Sequence, residues 1–124
     1  MSEKADIIGQ FVMQNLRDVA LDLCDGLCEE RFSSPGHKEL QIELRQLTEV
    51  QKKLVRKCVA YCVDGALNDF IYRLEDVKST TPISLTVVSR EGISTDRLHR
   101  KLHGRDGWKE RFSKFDCEGK RSSK

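Results

Sequence analysis

The chain has 124 residues, 38% of them hydrophobic and 34% charged, and a formal net charge of +2 at pH 7. This length supports one hydrophobic core, and the composition is typical of a soluble, helix-rich protein and excludes the disordered and collagen-like classes. No apolar run approaches the roughly 20 residues that cross a bilayer. The first residues, MSEKADIIGQ, lack the pattern of a secretion signal. We therefore expect a cytoplasmic protein with no membrane contact.

The charge is distributed unevenly along the chain. Residues 90–124 contain eleven Lys and Arg against six acids, whereas residues 1–89 contain eleven against fourteen. Such a split predicts an acidic face and a basic face, which bears on binding partners more than on fold.

The first third of the chain predicts two helices. Apolar residues recur at helical spacing over residues 4–31, and the sequence SSPG at 33–36 ends that helix because the residue before a proline disfavours the helical conformation. The stripe consists of Ile8, Val12, Leu16, Val19, Leu23 and Leu27. A short connecting helix follows, with Leu40, Leu44 and Leu47 on one side.

A longer helix begins after Thr48, which forms a T-x-x-Q capping box with Gln51. Two adjacent apolar rows predict that half of its circumference is buried and that it is the central element of the core. The rows are Leu54, Cys58, Cys62, Ala66, Phe70, Leu74 and Val55, Val59, Val63, Leu67, Ile71. The sequence leaves open whether this face is covered within one chain or by a second copy.

Beyond residue 78 the pattern changes to PISLTVVS, whose alternation predicts a strand at 83–89 and a second strand at 93–95. The spacing of Trp108, Phe112 and Phe115 predicts a last short helix. The predicted fold class is therefore α+β, with a mostly helical core of two long helices, a short connecting helix and a small C-terminal β-hairpin. We expect one domain over residues 1–117 and a basic tail over 118–124.

Two cysteine pairs, CDGLC at 24–28 and CVAYC at 58–62, suggest three interpretations. The thiols could be small apolar core side chains, four ligands of one metal, or a site of thiol–disulfide chemistry. The core interpretation is favoured, because structural zinc ligands usually lie on loops with C-x₂-C spacing. An Asp-Gly beside each pair indicates either close helix packing or room for a partner at Gly26 and Gly65.

Other residues could carry chemistry. His99 and His103 are four apart and could bind a metal together with Cys117 or Asp106, but H-E-x-x-H is absent. Acids on the first helix, and a cluster of Asp64, Asn68 and Asp69, have the spacing of magnesium ligands in helical hydrolases. A metal-dependent hydrolase or a zinc-binding protein is therefore an alternative, although the favoured prediction includes no cofactor and no catalytic residue.

The basic C-terminal third offers a further alternative. Its cations could contact phosphates, and its interleaved aromatic rings could stack on bases, as in a nucleic-acid-binding protein. The cations are Arg97, Arg100, Lys101, Arg105, Lys109, Arg111 and Lys114. The rings are Trp108, Phe112 and Phe115.

Two stretches, LNDFIYRLED at 67–76 and DRLHRKLHGRDGWKERFSKF at 96–115, resemble a group of small bacterial single-domain proteins of unassigned function. Those proteins have an ALxDFLxxLEE-type run at the end of a long helix and a C-terminal GxDGWxxxFSK-type segment. The resemblance covers about half the chain and implies no catalytic residue.

We therefore expect a non-enzymatic protein-binding module that docks a partner protein of opposite charge. Its most specific version is a bacterial immunity or inhibitor protein, by analogy of size and setting. Trp108 is a candidate anchor if it is exposed and a core side chain otherwise. The candidate partner-binding residues are Asp18, Asp22, Asp25, Glu29, Arg97, Arg100, Lys101, Arg105 and Trp108. The sequence does not decide the oligomeric state.

Overall fold

A computed structural model describes residues 2–76, 102 and 106–122 of the chain. In chain order the helical elements are α1 (Ser2–Val12), a π-helical turn (Met13–Arg17), α2 (Asp18–Cys28), α3 (Pro35–Leu44), α4 (Glu49–Asp76) and α5 (Trp108–Phe112). Helix α2 packs against α3 and α4, and α5 packs against α1 and the π-helical turn. None of the described helices is both long enough and apolar enough to cross a bilayer.

The α+β prediction is wrong, because the described residues are helical and contain no strand. Their β-type pairing is an isolated antiparallel bridge between Phe115 and Arg121. The predicted hairpin, 83–89 and 93–95, lies outside the described residues. A short alternating run is weak evidence for a sheet, since two strands alone are barely stable. The predicted last helix is present as α5, although it ends before Phe115.

The first predicted helix is interrupted by the π-helical turn. The backbone N–H of Asp18 donates to the carbonyl of Met13, five residues back, so one extra residue is inserted into the helix. This insertion rotates the apolar stripe by one position. The predicted stripe is therefore wrong for three of its six members, whereas Ile8 is buried and Val12 and Leu27 are half-buried. The side chains that the structure buries in α1, the π-helical turn and α2 are Ile8, Met13, Arg17, Asp18, Leu21 and Cys28. The predicted core side chains that it exposes are Leu16, Val19 and Leu23.

Helix α4 begins with the predicted capping box. The backbone N–H of Thr48 donates to Gln51 Oε1 at 2.8 Å, and the N–H of Gln51 donates to Thr48 Oγ1 at 3.1 Å. Of the two predicted apolar rows, the one ending in Leu67 and Ile71 is buried or half-buried. The prediction that the other row is buried is wrong, because the described helices pack on one side of α4 only. Its exposed members are Leu54, Cys58, Cys62, Ala66 and Phe70.

The core consists of two neighbouring clusters that both include side chains of α4 and of residues 106–122, called here the C-terminal segment. The first contains Ile8, Met13, Leu67, Ile71, Leu102 and Trp108. The second contains Leu21, Ala60 and Phe115. A Cβ on Gly9 would overlap the indole ring of Trp108, so a glycine is required where α5 packs on α1.

Candidate functional site

Arg17, at the end of the π-helical turn, is fully buried and is the centre of a polar network. Its Nε donates to Asp64 Oδ1 at 2.7 Å, and one terminal nitrogen donates to Asp64 Oδ2 at 3.3 Å. The terminal nitrogens also donate to Ser113 Oγ at 2.6 Å and to the carbonyls of Phe115 at 2.6 Å and Asp116 at 2.9 Å. These bonds account for all five N–H donors of a guanidinium group.

Asp18 extends the network next to Arg17. Its Oδ1 accepts hydrogen bonds from Ser113 Oγ at 2.6 Å and from the backbone N–H of Lys114 at 2.9 Å. Lys109 Nζ donates to Asp64 Oδ2 at 3.1 Å, so Asp64 is bound by two cations. Asp18 is therefore an internal acceptor that holds the C-terminal segment, and it does not belong to an exposed acidic face.

This buried network holds separate elements of the fold together. Arg17 has no free donor, and Asp64, which was a candidate magnesium ligand, already neutralises Arg17 and Lys109. The network joins α4 and the π-helical turn to residues 113–116. It therefore positions the C-terminal segment against α2 and so shapes the surface between them.

The cysteine pairs do not form a joint site. Cys24 is half-buried, Cys28 is buried, and Cys58 and Cys62 are exposed on α4. Burial, together with the neighbouring Cys28 thiol, raises the pKa of Cys24 to about 11, so this thiol is almost entirely protonated at neutral pH. Among the described residues, no three His, Cys, Asp or Glu side chains are grouped as a metal would require.

Gly26, beside the first cysteine pair, is closely packed, because a Cβ there would overlap the Phe32 ring. Gly65, beside the second pair, has open space around it. The interpretation of close helix packing is wrong at both positions, because Gly26 packs against a ring of the loop after α2 and the space at Gly65 is open. The two histidines of the alternative metal site, His99 and His103, lie outside the described residues.

An open groove of about 550 Å³ lies between α2, the first half of α4 and the C-terminal segment. Its lining is charged and contains as many acids as cations. The lining residues are Asp25, Glu29, Glu49, Lys53, Arg56, Glu118, Lys120 and Arg121. Two of the predicted partner-binding residues, Asp25 and Glu29, are among them.

The floor of this groove is fixed by an ion pair. Arg56 Nε donates to Asp25 Oδ1 at 2.9 Å, and both side chains are less than one-fifth exposed. Gly119 packs directly against α4 beside this ion pair. Its φ is 73°, and a Cβ there would meet the backbone carbonyl of Arg56, so this position requires a glycine. The C-terminal segment therefore comes into direct contact with α4 at this point.

The acids of the groove are already paired with cations. Arg31 lies 3.1 Å from Asp25 and 3.5 Å from Glu29. The other two acids have looser partners: Glu49 lies 3.7 Å from Lys52, and Glu118 lies 3.8 Å from Lys57. No described residue forms an ion pair with Lys53 or Lys120, and these two exposed lysines carry the unpaired charge of the groove.

A smaller groove of about 220 Å³ adjoins the first, and Arg121 lines both. Arg121 donates to Asp22 Oδ1 at 2.6 Å and lies over the Phe115 ring at 4.8 Å. Asp22, a third predicted partner-binding residue, is thus half-exposed and paired with a cation of the C-terminal segment.

The basic candidates Arg97, Arg100, Lys101 and Arg105 lie outside the described residues. Trp108 is fully buried and donates its indole N–H to Asp6 Oδ1 at 3.0 Å, so it is a core side chain and not an exposed anchor. Arg111 binds the same carboxylate at 2.8 and 3.0 Å, and this hydrogen bonding raises the pKa of Arg111. Because Trp108 and Phe115 are buried, neither ring is available to stack on a base.

The structure adds four cations that the sequence did not single out as part of a surface, namely Lys53, Arg56, Lys120 and Arg121. Two of them lie on α4 and two lie more than 60 residues later in the chain, and they carry no motif. A signal was available only for Arg56, since an arginine on the polar side of a long helix next to an acidic helix favours an ion pair. Comparison with protein-family models, with curated proteins and with solved structures found no match for this chain.

Proposed function

We propose that this protein is a binding module that docks a partner protein in the charged groove between α2, α4 and the C-terminal segment. The observation that carries the proposal is the contrast within the groove. Its acids are held in ion pairs, whereas Lys53 and Lys120 form none with the residues that the structure describes. The groove therefore offers unpaired positive charge above a fixed floor.

A partner that fits this groove presents carboxylate side chains. Asp25 and Glu29, which the sequence suggested as direct contacts, act instead by holding Arg56 and Arg31 in place. Exposed charges of this kind mainly accelerate association and orient the partner, while neighbouring contacts supply most of the affinity. The two unpaired lysines also disfavour a strongly cationic partner, because they repel it.

The most specific version of the proposal is an immunity or inhibitor protein that binds a bacterial effector. It is supported by the small size of the chain and by the resemblance of residues 67–76 and 96–115 to small bacterial proteins. In that case the gene for the target should lie beside the gene for this protein. Co-expression with the products of neighbouring genes, followed by size-exclusion chromatography, tests this version.

The groove itself is tested with a defined probe. We expect oligoglutamate, at low salt, to shift the amide NMR signals of residues around Lys53 and Lys120, and oligolysine to have no such effect. The double variant K53E/K120E should lose the response, and the response should weaken as the salt concentration rises because exposed charges are screened. The matched control is Lys38→Glu, which reverses an exposed lysine of α3 outside the groove. Equal shifts with both peptides, or shifts unaffected by K53E/K120E, would contradict the proposal.

A further inference from the structure

Two thiols lie next to each other on the solvent-exposed side of α4. Cys58 and Cys62 are four residues apart in this helix, and both side chains are exposed. Residues at this spacing are neighbours on one face of a helix, with about 5–6 Å between their Cβ atoms. The helix runs without interruption over Glu49–Asp76, so it holds the two thiols at this separation.

This separation is too long for a disulfide but suits a metal ion shared by the two sulfur atoms. A disulfide requires Cβ atoms about 3.5–4.5 Å apart, which a regular helix does not provide at this spacing. Two sulfur atoms that each bind a metal at about 2.3 Å are about 4.6 Å apart when they lie on opposite sides of it. Side chains on neighbouring turns reach that distance by rotation about their Cα–Cβ bonds. The pair is therefore a dithiol that cannot close on itself but can hold an ion.

The second cysteine pair of the chain provides a comparison. Cys24 and Cys28 have the same spacing on α2 and are joined by a hydrogen bond, so thiols four residues apart on a helix of this protein do meet. Cys28 is buried, however, and burial raises the pKa of Cys24 to about 11. Because a thiol binds metals as its thiolate, the pair on α2 is shielded from metal ions. The exposed pair on α4 is open to them.

The number and type of ligands select the metal. Thiolates favour soft ions, chiefly Cu(I) and zinc among those common in proteins. A structural zinc ion takes four ligands, and the residues that the structure describes offer no group of three His, Cys, Asp or Glu side chains. Cu(I) is satisfied by two thiolates on opposite sides of the ion. The exposed dithiol therefore suits Cu(I) and not zinc.

We propose that Cys58 and Cys62 bind one Cu(I) ion between them on the outer side of α4. Each thiol releases its proton to the solvent and forms one sulfur–copper bond, so binding releases two protons and gives a site with one negative charge. The copper stays in the +1 state throughout, so no electron donor or acceptor is involved. Neither cysteine lines the charged groove, and the proposal therefore stands or falls independently of the proposed function.

The site is tested by adding Cu(I), supplied as its acetonitrile complex without oxygen, and by native mass spectrometry after gel filtration. The wild-type chain should retain one copper per monomer, with two sulfur ligands in the X-ray absorption spectrum. Cys58→Ser and Cys62→Ser should each lose the copper and keep the helical circular dichroism, since both positions are exposed. The matched control is Cys117→Ser, which removes another exposed thiol and should retain the copper. A wild-type chain without copper, copper retained by both α4 variants, or copper that bridges two chains would overturn the proposal.

The spacing is tested with two double variants that have the same number of thiols on α4. Leu54 is 65% exposed, so a cysteine there should be tolerated. L54C/C62S has thiols four residues apart, at positions 54 and 58, and should retain one copper. L54C/C58S has thiols eight residues apart, about 12 Å along the helix, and should lose it. Copper bound equally by both variants, or zinc retained by the wild-type chain as firmly as copper, would overturn the assignment of a two-ligand Cu(I) site.

Discussion

Arg17 is a charged side chain in the interior of a small protein, and it is tolerated because each of its N–H donors has an acceptor. The cost of removing a charge from water is offset only when such bonds are complete. Its position could not be predicted, because the helical stripe of the sequence places residue 17 outside the apolar face. The π-helical turn brings Arg17 inward, and no residue type in MQNLR signals such a turn.

The first prediction concerns this network. Arg17→Met keeps an unbranched, flexible side chain but leaves Asp64 with Lys109 alone and deprives two backbone carbonyls of their donor. We expect the free energy of unfolding to fall by about 3–5 kcal/mol, as measured by urea denaturation. Arg45→Met, which removes an exposed arginine paired with Glu30, should leave the unfolding midpoint almost unchanged. A loss for Arg17→Met as small as that of the control would show that the network does not stabilise the fold.

The second prediction concerns the Cys24 thiol. Folding raises its pKa from 9.0 to about 11, chiefly through burial, so the folded state holds this proton more tightly than the unfolded state. The associated stability is complete below pH 9 and is lost as the pH rises to 11. Between pH 9 and 11 the free energy of unfolding of the wild-type protein should therefore fall more steeply than that of Cys24→Ser. Lysines and tyrosines also titrate in this interval, but they do so in both proteins, so the comparison isolates the thiol. If the stabilities of the two proteins depended on pH in the same way, the Cys24 thiol would be exposed to solvent and this prediction would be wrong.

At the scale of the helices, sequence patterns that depend on neighbouring residues predicted the structure correctly. Predictions that depend on tertiary packing were less accurate. Thr48 and Gln51 fixed the start of α4, and Pro35 lies in the first turn of α3, because capping and proline geometry depend on neighbours in the chain. The exposed row of α4 was mispredicted because apolar spacing shows that a face is apolar, but not what covers it. The charged groove was missed for a similar reason, since Lys53 and Lys120 meet only in the folded chain.

The third prediction concerns the packing of α5 on α1. In an ordinary helix, Gly→Ala is stabilising, but a Cβ at Gly9 would overlap the Trp108 ring. Gly9→Ala should therefore destabilise the protein by about 1–3 kcal/mol, the usual cost of overfilling a core. Gly36→Ala in α3, where a Cβ meets no atom within 4 Å, should stabilise by up to about 1 kcal/mol. Thermal unfolding of the two variants provides the comparison, and a stabilised Gly9→Ala would contradict the packing.

Across the whole molecule, part of the charge split along the chain is used internally. Cations of the basic C-terminal third pair with acids of the first part of the chain: Lys109 with Asp64, Arg111 with Asp6, and Arg121 with Asp22. The uneven charge therefore helps to hold the C-terminal segment on the helices. Among the cations that line the groove, Lys53 and Lys120 are left to meet a partner.

This arrangement makes the C-terminal segment part of one cooperative unit. Trp108 is the only tryptophan of the chain, so its fluorescence reports on that segment alone, while circular dichroism at 222 nm reports mainly on the long helices. Because Trp108 packs in the same cluster as Ile8 and Leu67, and residues 113–116 are bound to Arg17, both signals should change at the same urea concentration. Iodide should not quench the native emission, since the ring is fully buried. If the fluorescence changed at lower urea than the helical signal, the C-terminal segment would be a separately detaching arm. The groove, one wall of which it forms, would then open before the helices unfold.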